Sequence, residues 1–355
     1  MTDPTRQIGR AARDTIARIG RACRESLTEL DLPPDPTLLV GVSGGADSSA
    51  LILALADRAE REGWALVAAH VDHQIALPSQ RAEFQAAASA VADRAGVPIY
   101  VRSVDVPGEA ARAGDGLEAA ARRLRYQALC DVAEAVGVAA VVVGHTMDDQ
   151  AESVLLHLLR GSGLDGLAGM LASGTVPLPG ARLPLLRPLL SLRRSDTTAL
   201  CAALGTTPVE DPSNRDRTYT RSRIRAEIVP HLAAINPAIV ERLASLAASV
   251  SLDRALLDHL GAAALDEARD DERGGLPLPN ELHLSRRRVQ AQPRALQARL
   301  LRRAIVGLGA DPPDWERTQA LLRLVERGGH RVQYGGGVTA IASGDRLCLR
   351  RALPG

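Results

Sequence analysis

An alternation in the first half of the chain most constrains its fold. Four apolar, β-branched runs, TLLVGVS from residue 37, ALVAAHVD from 65, VPIYVRSVDV from 97 and VAAVVVGH from 138, are each followed by a segment with apolar residues at helical spacing. Strands returned by helices in this way make a parallel sheet covered on both faces. Polar residues at the carboxyl ends of such strands line up along one edge, where open α/β sheets bind ligands. Three of the runs end in such residues: SGGADS at Ser43 to Ser48, His70-Val71-Asp72-His73, and Gly144-His145.

After Arg160 the alternation stops. GSGLDGLAGM is glycine-rich, LPLLRPLL is interrupted by prolines, and TTPVEDPSNRD reads as a loop. Helical periodicity returns at about 222–233, 237–269, 294–308 and 314–327, and HRVQYGGGVTAIASGDRLCLRR alternates as a terminal β-hairpin would. The expected fold is therefore an α/β parallel-sheet domain over residues 1–212, followed by a smaller, mainly helical domain with a terminal hairpin over 213–355. A chain of 355 residues suits two such cores.

Composition narrows the chemistry. No apolar run approaches the roughly 20 residues of a membrane helix. Asp3, Asp14, Glu25 and Glu29 interrupt the early arginines without any apolar targeting segment, so a cytoplasmic location is expected. The four cysteines, Cys23, Cys130, Cys201 and Cys348, are scattered with no Cys-x-x-Cys pair, which argues against a zinc, iron–sulfur or dithiol site. All 43 basic residues are arginine. A Walker A loop, which needs Gly-Lys-Ser/Thr, is thereby excluded. The net charge of +1 carries no overall nucleic-acid signal. Arginines nonetheless concentrate at 215, 217, 221, 223 and 225, and again at 286, 287, 288, 294, 299, 302 and 303. Local basic patches of this kind can grip phosphate backbones, and a solvated helix face is the alternative.

SGGADS itself reads as a phosphate loop. Gly44 and Gly45 permit backbone conformations and close approaches that a Cβ would obstruct. Ala46, Asp47 and Ser48 then open a helix whose N–H groups and dipole favour an anion, with the Ser43 and Ser48 hydroxyls as further donors. An acid cluster, Asp148, Asp149 and Glu152, starts the helix after the fourth strand, where paired carboxylates can hold Mg²⁺ or an ammonium, or simply cap the helix.

These motifs carry a resemblance. SGGADS after a buried strand resembles the pyrophosphate loop of the N-type ATP pyrophosphatases (PP-loop enzymes), which cleave ATP to AMP and pyrophosphate and transfer AMP to a substrate oxygen. HVDH, LEAAARRLRY at Leu117 to Tyr126, GHTMDDQAES at Gly144 to Ser153, RGSGLDGLAGM at Arg160 to Met170, and EDPSNRDRTYTRSRIR at Glu210 to Arg225 follow in order. Together they closely resemble the tRNA(Ile)-lysidine synthetase family over roughly residues 37 to 237. Thr146, Met147 and the loop QIALPSQ depart from the family pattern.

The resemblance implies a reaction. ATP adenylates the C2 oxygen of the wobble cytidine in an isoleucine tRNA with a CAU anticodon, and the ε-amine of free L-lysine displaces AMP. It also implies site residues. Ser43, Gly44, Gly45, Ala46, Asp47, Ser48, His70, Val71, Asp72, Arg122, Gly144 and His145 would bind ATP, with Asp47, Asp149 and Arg122 catalytic. Asp47 and Asp149 would hold Mg²⁺, and Asp148, Asp149 and Glu152 the lysine. Arg122, which a helical salt bridge with Glu118 would otherwise occupy, would grip the α-phosphate or the pyrophosphate. Arg160, Arg187, Asn214, Tyr219, Arg221 and Arg225 would contact tRNA. Asp149 is expected to be exposed at its strand end, contributing little to the core. Sulfur-transferring relatives need catalytic cysteines or a cluster that these cysteines do not supply, and the substrate motifs of GMP and NAD synthetases are missing. A nucleotide-binding module without catalysis would not need Asp47, Asp148 and Asp149 together.

Overall fold

A computed structural model describes residues 9–114, 116–209, 220–270, 280–329 and 331–352. In chain order the first elements are α1 (Arg10–Glu29), β1 (Thr37–Gly41), α2 (Ala46–Glu62), β2 (Ala65–Asp72), α3 (Pro78–Ala95), β3 (Ile99–Ser103), α4 (Val106–Ala113), α5 (Leu117–Val136) and β4 (Ala140–Val142). They are followed by α6 (Met147–Leu159), α7 (Leu164–Leu167), β5 (Ser173–Thr175), β6 (Pro184–Leu186), α8 (Arg194–Ala203), α9 (Thr220–Arg223), a π turn (Ile224–Ile228), α10 (Val229–Ile235) and α11 (Ile239–Ala268). The remainder is β7 (Glu281–Ser285), α12 (Arg286–Ala291), α13 (Arg294–Gly307), α14 (Trp315–Arg327), β8 (Arg331–Gln333), β9 (Val338–Ser343) and β10 (Arg346–Arg351).

The four expected strands form a parallel sheet, extended to six in the order β3-β2-β1-β4-β6-β5. Its strand order reverses at β1, which pairs in parallel with β2 on one side and β4 on the other. The crevice at such a switch point is where doubly wound sheets take their ligands. β6 continues the parallel run beside β4, and β5 closes the edge antiparallel. Prolines and three-residue length hid these two strands from the periodicity of the sequence. Alternation in β1 sends Leu38 and Val40 into the core under α1 and α2, with Ile16, Ile19, Leu51 and Leu55, and Leu39 into the opposite core with Tyr126 and Leu129 of α5. Burying both faces is why these strands read as unbroken apolar runs.

The chain divides into two compact units, Met1–Ser249 and Val250–Gly355, the division falling inside α11. Residues 220–249 thus pack with the sheet unit rather than beyond a boundary at 212, because Arg221 and Arg225 are ion-paired to α6. In the second unit the terminal hairpin of β9 and β10 belongs to a four-stranded antiparallel sheet, β7-β10-β9-β8. Leu284, Leu347 and Leu349 from that sheet meet Leu300, Leu301, Leu321 and Val325 from α13 and α14. No described helix is long and apolar enough to cross a membrane.

Candidate active site

The loop between β1 and α2 is shaped by its hydroxyls and one glycine. The Ser43 N–H donates to Ser48 Oγ at 3.1 Å, Ser48 Oγ donates to the Gly45 carbonyl at 3.1 Å, and the two serine Oγ atoms are 3.1 Å apart. Gly44 has φ +87°, and a Cβ there would lie 2.8 Å from the Phe84 carbonyl oxygen, so only glycine fits. Gly144, following β4, lies against the first turn of α2: a Cβ would stand 3.2 Å from Ser48 N and from the Asp47 carbonyl carbon. Ala46 opens α2, whose N-terminus therefore points into the crevice between β1 and β4.

At the end of β2, His70 is buried and its Nδ1 lies 2.9 Å from the Val42 carbonyl, bracing the start of the loop. Val71 is half-buried in the strand. Asp72 accepts from Arg81 Nε at 2.9 Å and from the Gln74 N–H at 3.0 Å. The Arg81 hydrogen bonds hold its carboxyl below the usual range despite burial.

The acid cluster is buried, contrary to the expected exposure of Asp149. Thr146 caps α6: its N–H and hydroxyl both donate to Asp149 Oδ2, at 2.8 and 2.9 Å. The other oxygen of Asp149 accepts from Arg194 Nη2 at 3.0 Å and from Arg221 and Arg225 Nη2, each at 3.4 Å. Glu152, whose side chain is 2% exposed, accepts from Arg225 Nε at 2.6 Å and Arg221 Nε at 3.0 Å, with Arg194 Nη1 at 3.5 Å. Asp148 accepts from Arg193 Nη2 at 3.1 Å and the Arg194 N–H at 2.8 Å. Asp47 accepts from the Thr197 hydroxyl and, at 3.4 Å, from Arg194 Nε. Burial pushes Asp149 up, but Arg194 and Arg221 outweigh it and leave the carboxyl below its ordinary range. For Asp47 burial prevails over Thr197 and Arg194, and its pKa is raised.

Arg194 bridges Asp47 and Asp149, marking a position between two hard carboxylate donors that favours a cation. Arg193, Arg194 and Thr197 had no motif to announce them. They reach the site because β6 and the turn after it deliver the start of α8 to the same edge. Arg221 and Arg225, expected on a tRNA surface, turn their guanidiniums into the acid cluster. Asn214 and Tyr219 lie outside the described residues. Arg160 is exposed at the C-terminal end of α6, about 17 Å along the helix from the acids.

A different group gathers beside β4. Arg122 of α5 stands 5.3 Å from the Tyr126 ring centroid, and Arg125 stands 5.2 Å from it. Arg122 forms no ion pair with Glu118 among the described residues. Arg187, directly after β6, is buried and donates from Nη1 to the Leu171 carbonyl at 2.8 Å. Burial and the Arg125 charge push the His145 imidazole down to about 3, so it is neutral near pH 7. Arg125 and Tyr126, at the end of the LEAAARRLRY helix, were not read as site residues from sequence. The cysteines are free, and burial pushes the Cys23 thiol up to about 12 and Cys201 to about 11, which leaves both unreactive.

Residues 18–232 match a family model described as a PP-loop domain, and residues 284–351 match the TilS substrate binding domain. A tRNA(Ile)-lysidine synthase of Salinispora tropica is 44% identical over 350 residues, covering 94% of this chain and 98% of the relative. Another, from a Nostoc species, is 35% identical and covers 88% of this chain and 91% of its own length. Among solved structures, the U34-tRNA thiolase NcsA from Methanococcus maripaludis superimposes with a TM-score of 0.53 at 17% identity, covering 66% of this chain and 79% of its own. That similarity is one of fold. With close relatives along nearly its whole length and a PP-loop match across the sheet unit, the chain belongs to the tRNA(Ile)-lysidine synthase family.

Proposed function

We propose that this chain spends ATP to join L-lysine to C2 of the wobble cytidine of an isoleucine tRNA bearing a CAU anticodon. The observation that carries the reading is the glycine-shaped loop at the carboxyl edge of β1, held against an acid cluster that already coordinates a cation-like guanidinium. In the first step the cytidine C2 oxygen attacks the α-phosphorus of ATP and pyrophosphate leaves. In the second the neutral ε-amine of lysine attacks C2, AMP leaves, and the amine gives up a proton.

The residues divide the work by charge. Ser43, Gly44, Gly45, Ala46 and Ser48, with the N-terminus of α2, hold the departing phosphates. His70 and Val71 shape the nucleotide wall, while Asp72 keeps Arg81 in place behind it. Asp47 and Asp149 offer carboxylate oxygens suited to Mg²⁺, which neutralises the phosphates when bound. Either that ion or the lysine ammonium would take over the position of Arg194, with Asp148 and Glu152 fixing the surrounding arginines. The tRNA-facing surface is assigned to the second unit, with Arg160, Asn214 and Tyr219 adding contacts. The family description of residues 284–351 as substrate-binding supports that assignment.

The test incubates protein with ATP, Mg²⁺, labelled lysine and a CAU isoleucine tRNA transcript, then counts label left after mild alkaline deacylation. Label that needs ATP and vanishes when the wobble cytidine is replaced supports ligation. Gly44→Ala should lose at least about 100-fold in rate, since its Cβ would displace the phosphate donors of the loop. AMP and pyrophosphate without retained label would mean a different second substrate, and neither product would overturn the adenylation.

A further inference from the structure

The second unit carries a group of side chains that neither the ATP chemistry nor the arginine network uses. β7 and β10 run antiparallel, and alternation sends Leu282, Leu284, Leu347 and Leu349 into the core of that unit. The residues between them share the opposite face. On it Cys348 stands directly across from His283, and Glu281 lies two residues from His283 on the same strand. One ligand atom each from Glu281, His283 and Cys348 can be chosen so that all three lie within 4.8 Å of one another.

His283 Nε2 stands 3.3 Å from Glu281 Oε2. That is long for a direct N–H···O bond, whose usual range ends near about 3.2 Å, and it matches the gap between two ligands each about 2 Å from one tetrahedral ion. The other ring nitrogen, Nδ1, is buried without a hydrogen-bond partner among the described residues, so no protein acceptor fixes the tautomer of the ring. Glu281 is held from its other side. Arg350, its partner in the strand register, pairs with Oε1 and leaves Oε2 toward His283. A ligating carboxylate is oriented by a neighbour in this way. The side chains of Glu281 and His283 are only 9% and 18% exposed, so water competes little for either.

We propose that Glu281, His283 and Cys348 form a site for a divalent transition metal, Zn²⁺ above all, with a water in the fourth position. The donor set decides the metal: a thiolate and an imidazole favour Zn²⁺, whereas Mg²⁺ and Ca²⁺ take oxygen ligands. On binding, the Cys348 thiol loses its proton to solvent, and the ion joins β7, the terminal strand of its sheet, to β10. All three ligands belong to the second unit, so the site stands or falls apart from the ATP chemistry. The scattered cysteines argued against zinc because spacing along a chain records only local sites. A site assembled by the register of two strands leaves no such spacing.

In the test, metal-free full-length protein is titrated with Co²⁺, a spectroscopic stand-in for Zn²⁺, in excess Mg²⁺. The expected result is a single tight equivalent with a thiolate-to-cobalt charge-transfer band that Zn²⁺ displaces and Mg²⁺ does not. Cys348→Ser should abolish the band, and Cys130→Ser, which alters the other half-buried cysteine, should keep it. Glu281→Gln and His283→Gln should each bind Zn²⁺ at least about 10-fold more weakly, measured by competition with a chromophoric chelator. Saturating Zn²⁺ should raise the unfolding temperature of the parent and leave that of Cys348→Ser unchanged. Far-ultraviolet circular dichroism checks that each variant folds, and His283→Gln carries the test where Cys348→Ser does not. Absence of the charge-transfer band, a band that survives in Cys348→Ser, or parental Zn²⁺ affinity in both glutamine variants overturns the site.

Discussion

Two arginine clusters sit on the same sheet edge and solve opposite problems. Around α6, Arg194, Arg221 and Arg225 share Asp149 and Glu152, and Arg194 also reaches Asp47. Around Tyr126, Arg122, Arg125 and Arg187 share no carboxylate among the described residues. The same residue type thus builds a closed network in one place and an uncompensated one in the other. A count of arginines cannot separate them; only the partners can.

The largest effect expected from this difference lies in the closed network. Glu152→Ala removes a buried carboxylate held by three guanidiniums, so unfolding in urea should lose about 3–5 kcal/mol. A loss under about 1 kcal/mol would mean that the network is not a structural unit.

The second unit sharpens the comparison, since charge alone left its arginine run open between a phosphate-binding patch and a solvated helix face. Arg286 instead donates to three carbonyls: Val325 at 2.6 Å, Gly344 at 2.8 Å and Glu326 at 3.1 Å. Arg286→Ala should cost about 1–3 kcal/mol. Arg294, half-exposed and paired to Glu326, should cost under about 0.5 kcal/mol when changed to Ala. Equal stability losses for the two would erase the distinction between a half-buried arginine fastened to carbonyls and a surface ion pair.

A pH slope at His145 tests the same contrast by titration rather than by truncation. Its folded pKa of about 3 lies below the ordinary 6.5, so the unfolded chain takes up a proton first as pH falls. Stability is therefore full above pH 6.5 and declines from there toward pH 3. Asp149, also lowered, adds loss of the same sign, beginning nearer the ordinary carboxylate range. His145→Gln should flatten the decline between about pH 6.5 and 4.5, measured as the urea midpoint. An unchanged slope would mean that burial and the guanidiniums beside it do not hold the imidazole neutral.

Much of the edge was legible in the sequence because β1, β2 and β4 are buried on both faces and so write apolar runs, while the edge strand β3 announced itself by β-branched residues alone. The loop was legible because a glycine pair and flanking hydroxyls have a direct conformational meaning. β5 and β6 were not: three residues set a pairing through neighbours, not through periodicity, and with β6 went Arg193, Arg194 and Thr197. The acids were found at the correct helix start, but their burial was not. That depends on Arg221 and Arg225 returning from 72 and 73 residues away along the chain to Asp149 and Glu152.

The most direct measurement compares the urea unfolding midpoints of full-length Glu152→Ala and Arg125→Met, both without phosphate. A closed network and a cluster without carboxylates among the described residues predict displacements of opposite sense: downward for Glu152→Ala, and none or upward for Arg125→Met. Two midpoints that fall together would contradict the division of the arginines into ion-paired fasteners and a cluster without counter-charge among the described residues.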